Sequence, residues 1–542
     1  MASMKNQRLE QPHIKLWKWR GWMQKAVRAT ALTAAVGVAT GVIGGGTAYA
    51  KTEKSFFGLY PLGEVTPVPL LSDKPLPYII PDKRPELLVE AGCKFLGKGN
   101  IPQGCKLPGG AVWTPCLWVF GTWRAAMQTY ESAGPVGRNT ELVTRLYIFA
   151  NLQLTSTEKC IVGVGPLDKN RFTNFTRYSW ESSQGEEGGR SEAGVFVRTA
   201  FCEGDLGSLL PDLDPKGTKF IDWGFSAGRQ RIHFQEGIMI NDFLDSVGIV
   251  RNNMHAPGFS NIRATAVWAW ASIDRGTPAT RQRLNQPGGL YGLFLQADNL
   301  TSTWALDILA VDDDGTTTGG DMVNVGLSAS QRAWTPWSRL GNFNTAYRIN
   351  ASFADVDNPN LYLAADGVLL SAEISWTPHS SDDVVYINPF YGFDSYTQVS
   401  REPVVSGPLA PLGISFASPS LGNHLSELSG FNTQAAGIAI GYQAFWDNHR
   451  RNLVIEIAGL KDNTRNLFKD DGVGTDAAAL TVQFQQAVGQ HVQLQLDAFV
   501  SYLESRDNGS GARAEILVQF LGTERNLMRL AETEMTVSAN LI

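Results

Sequence analysis

Between His491 and Leu503 the chain reads HVQLQLDAFVSYL. Val492, Leu494, Leu496, Ala498, Val500 and Tyr502 fall on one side of an extended backbone, and Gln493, Gln495, Asp497 and Ser501 on the other. Strand side chains alternate with a period of two, so the pattern predicts a strand with one apolar and one polar face. The same alternation recurs along the chain. NFNTAYRINASF sets Phe343, Thr345, Tyr347, Ile349, Ala351 and Phe353 against Asn342, Asn344, Arg348, Asn350 and Ser352. ELVTRLYIFANLQLT sets Leu142, Leu146, Ile148, Leu152 and Leu154 against Glu141, Arg145, Tyr147, Asn151 and Gln153. Runs of this kind, separated by Gly, Asn, Asp, Ser and Pro clusters, read as all-β. About eighteen strands (16–18) are predicted, near 117–130, 141–154, 158–167, 193–203, 219–230, 238–250, 260–271, 289–298, 301–312, 321–331, 342–355, 361–376, 383–397, 433–446, 451–460, 477–488, 490–503 and 511–520. The alternation is least regular in 117–130 and 238–250.

The connections sort by parity. Those after the second, eighth, fourteenth and sixteenth strands are the short STE, NLT, DNHR and GQ, whereas the connection after the thirteenth strand is QVSREPVVSGPLAPLGISFASPSLGNHLSELSGFN, residues 398–432. Short turns at one end and long loops at the other are the plan of a transmembrane antiparallel β-barrel of the outer-membrane kind. The connections after the fourth and tenth strands are long for simple turns. A barrel this wide cannot be filled by wall side chains alone, so the polar faces should line water and the apolar faces meet lipid. Trp268, Trp270, Trp376 and Trp446 near strand ends suit an interfacial aromatic girdle. Closure would also remove the sheet edges that so few Lys residues guard. Loop 398–432 exceeds what a connector needs and is the candidate for a constriction.

The first fifty residues are different. A basic stretch, KLWKWRGWMQKAVR, precedes the small apolar run ALTAAVGVATGVIGGG and an Ala-x-Ala ending at Ala50, the layout of a signal peptide over 1–50. Residues 51–116 hold ten Pro and predict an extended periplasmic arm or a plug. The barrel is expected over 117–520, with 521–542 a tail or, through EMTVSANLI, the final strand. Without residues 1–50 the chain keeps 39 basic and 51 acidic residues. An acidic exported chain has no electrostatic reason to bind nucleic acid. Export also places its five Cys in an oxidising compartment, so a disulfide within the group Cys93, Cys105 and Cys116 is expected, with an odd thiol left over. The Cys and His spacings match no metal site or haem attachment, and no cofactor is expected.

The stretch GFSAGRQRIHFQEGIMINDFLDSVGI, Gly224 to Ile249, resembles a segment of the alginate-export type of outer-membrane porin, in which a Gly-Arg-Gln and an acidic-Gly element precede an Asp-containing strand. The resemblance covers about thirty residues and implies a diffusion channel rather than an enzyme. Its substrate does not transfer. A polyanion channel needs an excess of positive lining charge, whereas the predicted inner faces carry Arg145, Arg198, Arg263, Arg348 and Arg513 against Glu141, Asp307, Glu373, Glu456, Asp497 and Glu515. Arg229 and Arg231 are the candidates for a local basic constriction, or alternatively pair with Glu236, Asp242 or Asp245 as a ladder.

Two motifs point elsewhere and fail on context. GFSAG, Gly224 to Gly228, matches a nucleophile elbow, but it lies inside a β-run, and Ser226 and His233 are an odd seven residues apart, on opposite strand faces. DDDGTTTGGD, Asp312 to Asp321, clusters oxygen ligands but lacks the closing acid of a calcium loop and reads as a hairpin turn. The expectation is therefore an outer-membrane porin passing small polar solutes, inserted into lipid by the barrel-assembly machinery. The alternative is a barrel that sheathes or anchors an electron-transfer or secretion partner.

Overall fold

The computed structural model describes residues 87–96, 104–131, 137–168, 175–183, 185, 187–216, 220–275, 288–313, 320–334, 342–355, 365–378, 381–402, 407–431, 434–447, 449–462, 476–488, 491–504 and 508–519. The expected signal peptide, the first part of the Pro-rich arm, the segment 520–542 and the tip of the Asp312–Asp321 hairpin lie outside the described residues.

Eighteen antiparallel strands close into one barrel. They are β1 Cys116–Tyr130, β2 Asn139–Gln153, β3 Lys159–Gly165, β4 Phe196–Asp205, β5 Gly224–Phe234, β6 Ile240–Ala256, β7 Phe259–Ala271, β8 Gly288–Asp298 and β9 Ser302–Asp313. There follow β10 Met322–Trp334, β11 Asn342–Ala354, β12 Gly367–Thr377, β13 Val384–Asp394, β14 Ala435–Trp446, β15 Arg451–Asp462, β16 Ala477–Val488, β17 Val492–Leu503 and β18 Gly509–Gln519. Each pairs with its neighbours in sequence, and β18 closes on β1 from Gly511 opposite Tyr130 to Gln519 opposite Thr122. Closure pairs β18 with β1, so that neither of these two strands is a sheet edge along Thr122–Tyr130 and Gly511–Gln519.

The alternation read from the sequence is the alternation of burial. Leu496, Ile516, Tyr347, Ile349, Phe353, Leu142 and Leu152 are exposed, while Arg348, Asn350, Ser352, Glu141, Arg145, Ser501 and Glu515 between or beside them are buried. On these strands polar residues turn inward and large apolar ones outward, the reverse of a soluble sandwich, whereas β5–β10 also turn Ile232, Leu244, Val267, Leu290, Phe294, Leu309 and Met322 into a buried apolar cluster. Trp268, Trp270, Trp304, Tyr291 and Tyr391 join the exposed outer set.

Three features depart from a plain meander. β3 is short, seven residues against fifteen in β2, and covers only Ile148–Gln153 of it. The upper part of β2 is instead paired by Thr176–Glu181, a strand within the connection after β3, which pairs antiparallel in turn with Gly188–Arg190. The expected start of the fifth strand at 219 moves to Gly224, because Leu206–Leu209 forms a single helical turn capped by Asp205 and the chain re-enters the wall only after Trp223. On the same rim, Val89–Ala91 pairs with Leu117–Val119 of β1, and Cys93 is bonded to Cys116. A second disulfide, Cys160–Cys202, crosses from β3 to β4 and was not foreseen; Cys105 is the free, exposed thiol.

Candidate functional site: a loop across the barrel interior

The connection between β13 and β14 folds into the barrel. Its chemistry explains why it can. Between Pro408 and Asn423 it carries no charged residue, only Leu, Ile, Phe, Ala, Gly, Pro, Ser and Asn. Leu409, Leu412, Phe416, Leu421 and Leu428 are fully buried. Four of them join Leu369, Phe390, Ala439, Ala458, Ala477, Ala479 and Leu503 of the wall in one cluster. The wall is lined there by alanines, which leaves room for the loop's larger side chains to fill.

The loop's first part is stitched to β5–β7. Val399 N–H donates to Met239 O at 3.0 Å, and Ser400–Arg401 runs parallel to Ile240–Asn241 as a two-residue strand. Ser400 Oγ donates to the buried Asp242 at 2.6 Å. Further along, Ile414 and Ser415 N–H donate to the two Glu456 oxygens at 2.9 and 2.8 Å, and Tyr386 O–H donates to the same carboxylate at 2.6 Å. The loop then reaches the opposite arc. Arg124 donates to Pro419 O at 3.1 Å, Arg145 to Ser420 O at 3.1 Å and Gln128 to Leu421 O at 3.2 Å, while Asn423 N–H donates to Glu141 at 2.8 Å. At Gly422 the backbone is left-handed (φ +70°), and a Cβ would stand 2.5 Å from Glu141 Oε1, so the close approach requires glycine. His424 lies against Tyr130, with 4.3 Å between ring centroids, and against Phe499 at 5.8 Å. Every backbone group pulled away from water needs a partner, and inward-facing charged side chains of the wall supply them.

The charges predicted for the lining form several separate groups. Arg145 bonds Asp168 at 2.9 Å, both almost wholly buried. Arg513 bonds Asp497 at 2.9 Å and also meets Glu515, which takes a second guanidinium from Arg124 at 3.1 Å. Arg348 pairs with Glu373, and Glu236 stands 4.0 Å from the same guanidinium. Arg198 meets the Tyr147 hydroxyl and Glu402 of the loop. Asp307 accepts from Gln235 at 2.6 Å, and Gln235 belongs to the β5–β6 turn, which also bends inward to meet Gln398 through Gly237 O. Glu456 anchors the loop as described. Arg263 stands at the other end of its strand, opposite Gln296 of β8.

Arg229 and Arg231 are placed differently. In β5 the buried positions are Ser226, Gln230 and Ile232, and the two arginines alternate with them. Arg229 stands opposite Asp245, on the face that carries Val247 and the exposed Ile249 of β6. It makes a two-pronged bond to Asp245, 2.7 Å on each side, and reaches Ser272 at 3.2 Å. Arg231 donates to Asn241 at 2.8 Å. The ladder alternative therefore describes Arg229, with Asp245 as its partner. Ser226 of the GFSAG match sits within β5, where the strand-to-helix turn that such a nucleophile needs is absent.

The sequence pointed to the loop through its length and to the lining through alternation. It gave no sign that the same arginines and glutamates hold the loop backbone, because those contacts join residues nearly 300 positions apart, such as Gln128 and Leu421.

No family model matches the sequence, and no curated protein matches it either. Among solved structures the chain is similar to Pseudomonas aeruginosa OccK2 (OpdF), with a TM-score of 0.50 and 8% identity over 75% of this chain and 98% of that one. It is also similar to P. aeruginosa OpdK, solved with vanillate (TM-score 0.48, 10% identity, 74% and 97% covered), and to P. aeruginosa OccK5 (OpdH) (0.47, 7%, 75% and 98%). These are outer-membrane porins, and the likeness to OccK2 places this chain in the same class of fold.

Proposed function

We propose that this chain is an outer-membrane porin of the Gram-negative type, giving passive diffusion to small polar or charged solutes. The observation that carries the reading is a closed barrel with apolar residues exposed on its outside and buried charges on its inside, crossed by one of its own loops. An outer surface of exposed Leu, Ile, Phe, Trp and Tyr suits lipid. An inner surface of Arg145, Arg198, Arg263, Arg348, Asp307, Glu373, Glu456 and Asp497 suits water and ions, with the loop at 407–431 setting the width of the path. The described part of the arm, from residue 87 on, lies on the periplasmic side in this reading, tethered through Cys93–Cys116. The assembly machinery of the outer membrane would insert the chain after export.

The resemblance of Gly224–Ile249 to alginate-export porins supports the same class of channel. The balance of acids and bases inside argues for small solutes of mixed charge over a polyanion. A barrel that sheathes a protein partner would need the interior that Leu409–Asn423 fills.

Single-channel recording of the detergent-purified, folded chain in a planar bilayer tests the reading. Discrete steady openings, with a reversal potential near zero under a salt gradient, are expected from a mixed lining. Silence from a correctly folded barrel would overturn it.

A further inference from the structure

A cavity of about 570 Å³ lies at the short-turn end of β1–β7, away from the loop described above. Its walls come from seven consecutive strands, and it is within the size range of small-ligand sites. Four charged side chains line it, and each is already engaged. Lys159 and Glu203 bond each other at 2.8 Å. Asp205 caps the Leu206–Leu209 turn, accepting from Ser208 N–H at 2.8 Å, and Arg263 has an interaction partner of its own. A ligand carboxylate or ammonium would therefore give up its hydration and find no unspent counter-charge. The rest of the polar lining is neutral. Asn151 and Gln153 of β2 and Asn252 of β6 bring carboxamides, which offer both donors and acceptors, as hydroxyl groups do. Asn151 Oδ1 is buried and has no hydrogen-bond partner among the described residues. It needs a donor, which a hydroxyl supplies and an ionised carboxylate does not. Trp118 and Phe225 add aromatic rings to the wall. The arm fixes the first of these: Trp118 Nε1–H donates to Cys93 O at 3.1 Å, and Phe95 meets the ring edge-on, with 5.5 Å between centroids.

We infer that this cavity is a binding site for a neutral polyhydroxylated solute, a mono- or disaccharide. The hydroxyls around a sugar ring would bond the carboxamides of Asn151, Gln153 and Asn252, and the C–H groups of the ring would lie against Trp118 and Phe225, whose faces carry partial negative charge. Such a ligand leaves the Lys159–Glu203 pair and the Asp205 cap intact. The inference deepens the porin reading by naming a class of solute, and its physiological meaning rests on that reading, but binding itself is measured without transport.

Saturation-transfer NMR on the folded barrel in lauryldimethylamine oxide, a detergent without a sugar headgroup, tests it with maltose as the probe. Saturable binding at millimolar concentration is expected, with succinate and L-glutamine giving no saturable signal. Asn151→Leu keeps the volume of the side chain and removes its polar atoms, and it should weaken maltose about five- to tenfold, the usual effect of losing neutral hydrogen bonds. Asn252→Ala should weaken it about threefold, and its exposed position keeps the test available should Asn151→Leu not fold. No saturable binding of maltose would overturn the inference, as would succinate or L-glutamine binding as tightly, or an affinity unchanged in both variants. Binding by a barrel that stays silent in the bilayer would sink the porin reading alone, and a conducting barrel that does not bind would sink this site alone.

Discussion

The two arcs of wall that hold the inward loop differ in how they balance apolar packing and hydrogen bonding. On β14–β16 the loop meets alanines, Leu409, Leu412 and Phe416 fill the space between them, and the Glu456 carboxylate holds the backbone of Ile414 and Ser415. On β18–β2 it meets Arg124, Gln128, Glu141 and Arg145, whose side chains bind its backbone. Burying an apolar side chain of this size is worth about 1.5–3 kcal/mol, with little demand on orientation. The charged contacts are worth less in net terms, because the ions were already taken out of water, but each fixes a donor or acceptor within a few tenths of an ångström. The apolar packing, densest on β14–β16, supplies attachment, and the polar contacts, most numerous on β1–β2, supply position.

The largest test is on the apolar side. Phe416→Ala should cost about 3–5 kcal/mol of loop docking. The expected result is a several-fold rise in single-channel conductance and new protease cleavage within 407–431. Conductance and cleavage like those of the parent would refute the assignment of attachment to this arc. Next comes Glu456→Gln. One oxygen of the amide can accept where two did, so either Ile414 or Ser415 N–H loses its partner, at about 1–3 kcal/mol. Here the mean conductance should rise modestly while open-channel noise rises clearly. Arg124→Lys keeps the charge but removes the fork that joins Glu515 to Pro419 O, and it should change ion selectivity by less than either variant changes conductance. Should it detach the loop as fully as Phe416→Ala does, the division between the arcs is wrong.

The smallest effect is on pH. Burial pushes the Glu427 carboxyl of the loop well above its ordinary value, with Asp497 and Glu456 adding to the shift. The docked loop therefore holds this proton more tightly than a released loop would. Docking is strongest below the ordinary carboxyl range of about 4.3 and weakens as pH rises from there toward the raised value. Open-channel noise should grow over that interval in the parent and stay flat in Glu427→Gln. A parallel pH response in both would place the titrating group elsewhere.

Much of the architecture was legible because a period of two leaves a direct trace. Fifteen-residue β1 and seventeen-residue β6 were the hardest to see, since CLWVFGTWRAAMQTY puts bulky residues on both faces and INDFLDSVGIVRNNMHA mixes them. The Thr176–Glu181 strand was not visible, because its need arises from the shortness of β3 rather than from its own pattern. The same limit hid Cys160–Cys202, whose pairing depends on a cross-strand register. GFSAGRQRIHF was misleading for a different reason. It carries polar residues on both faces, Ser226 and Gln230 on one and Arg229 and Arg231 on the other, so alternation alone assigned no inner side. Faces can be read from one strand, whereas partners require the whole ring.

Closure of β18 on β1 has a consequence in time. Arg124 and Glu515 are 391 positions apart, so the seam joins an early-made part of the barrel to its last strand. Every other wall pairing can zip locally, hairpin by hairpin, but this one must wait until the last strand has been delivered. Until then two long edges stand open, and a chain truncated before Gly509 would present them permanently. The point at which the ring is sealed is thus the one pairing that needs both ends of the barrel, and the place where an incomplete copy betrays itself.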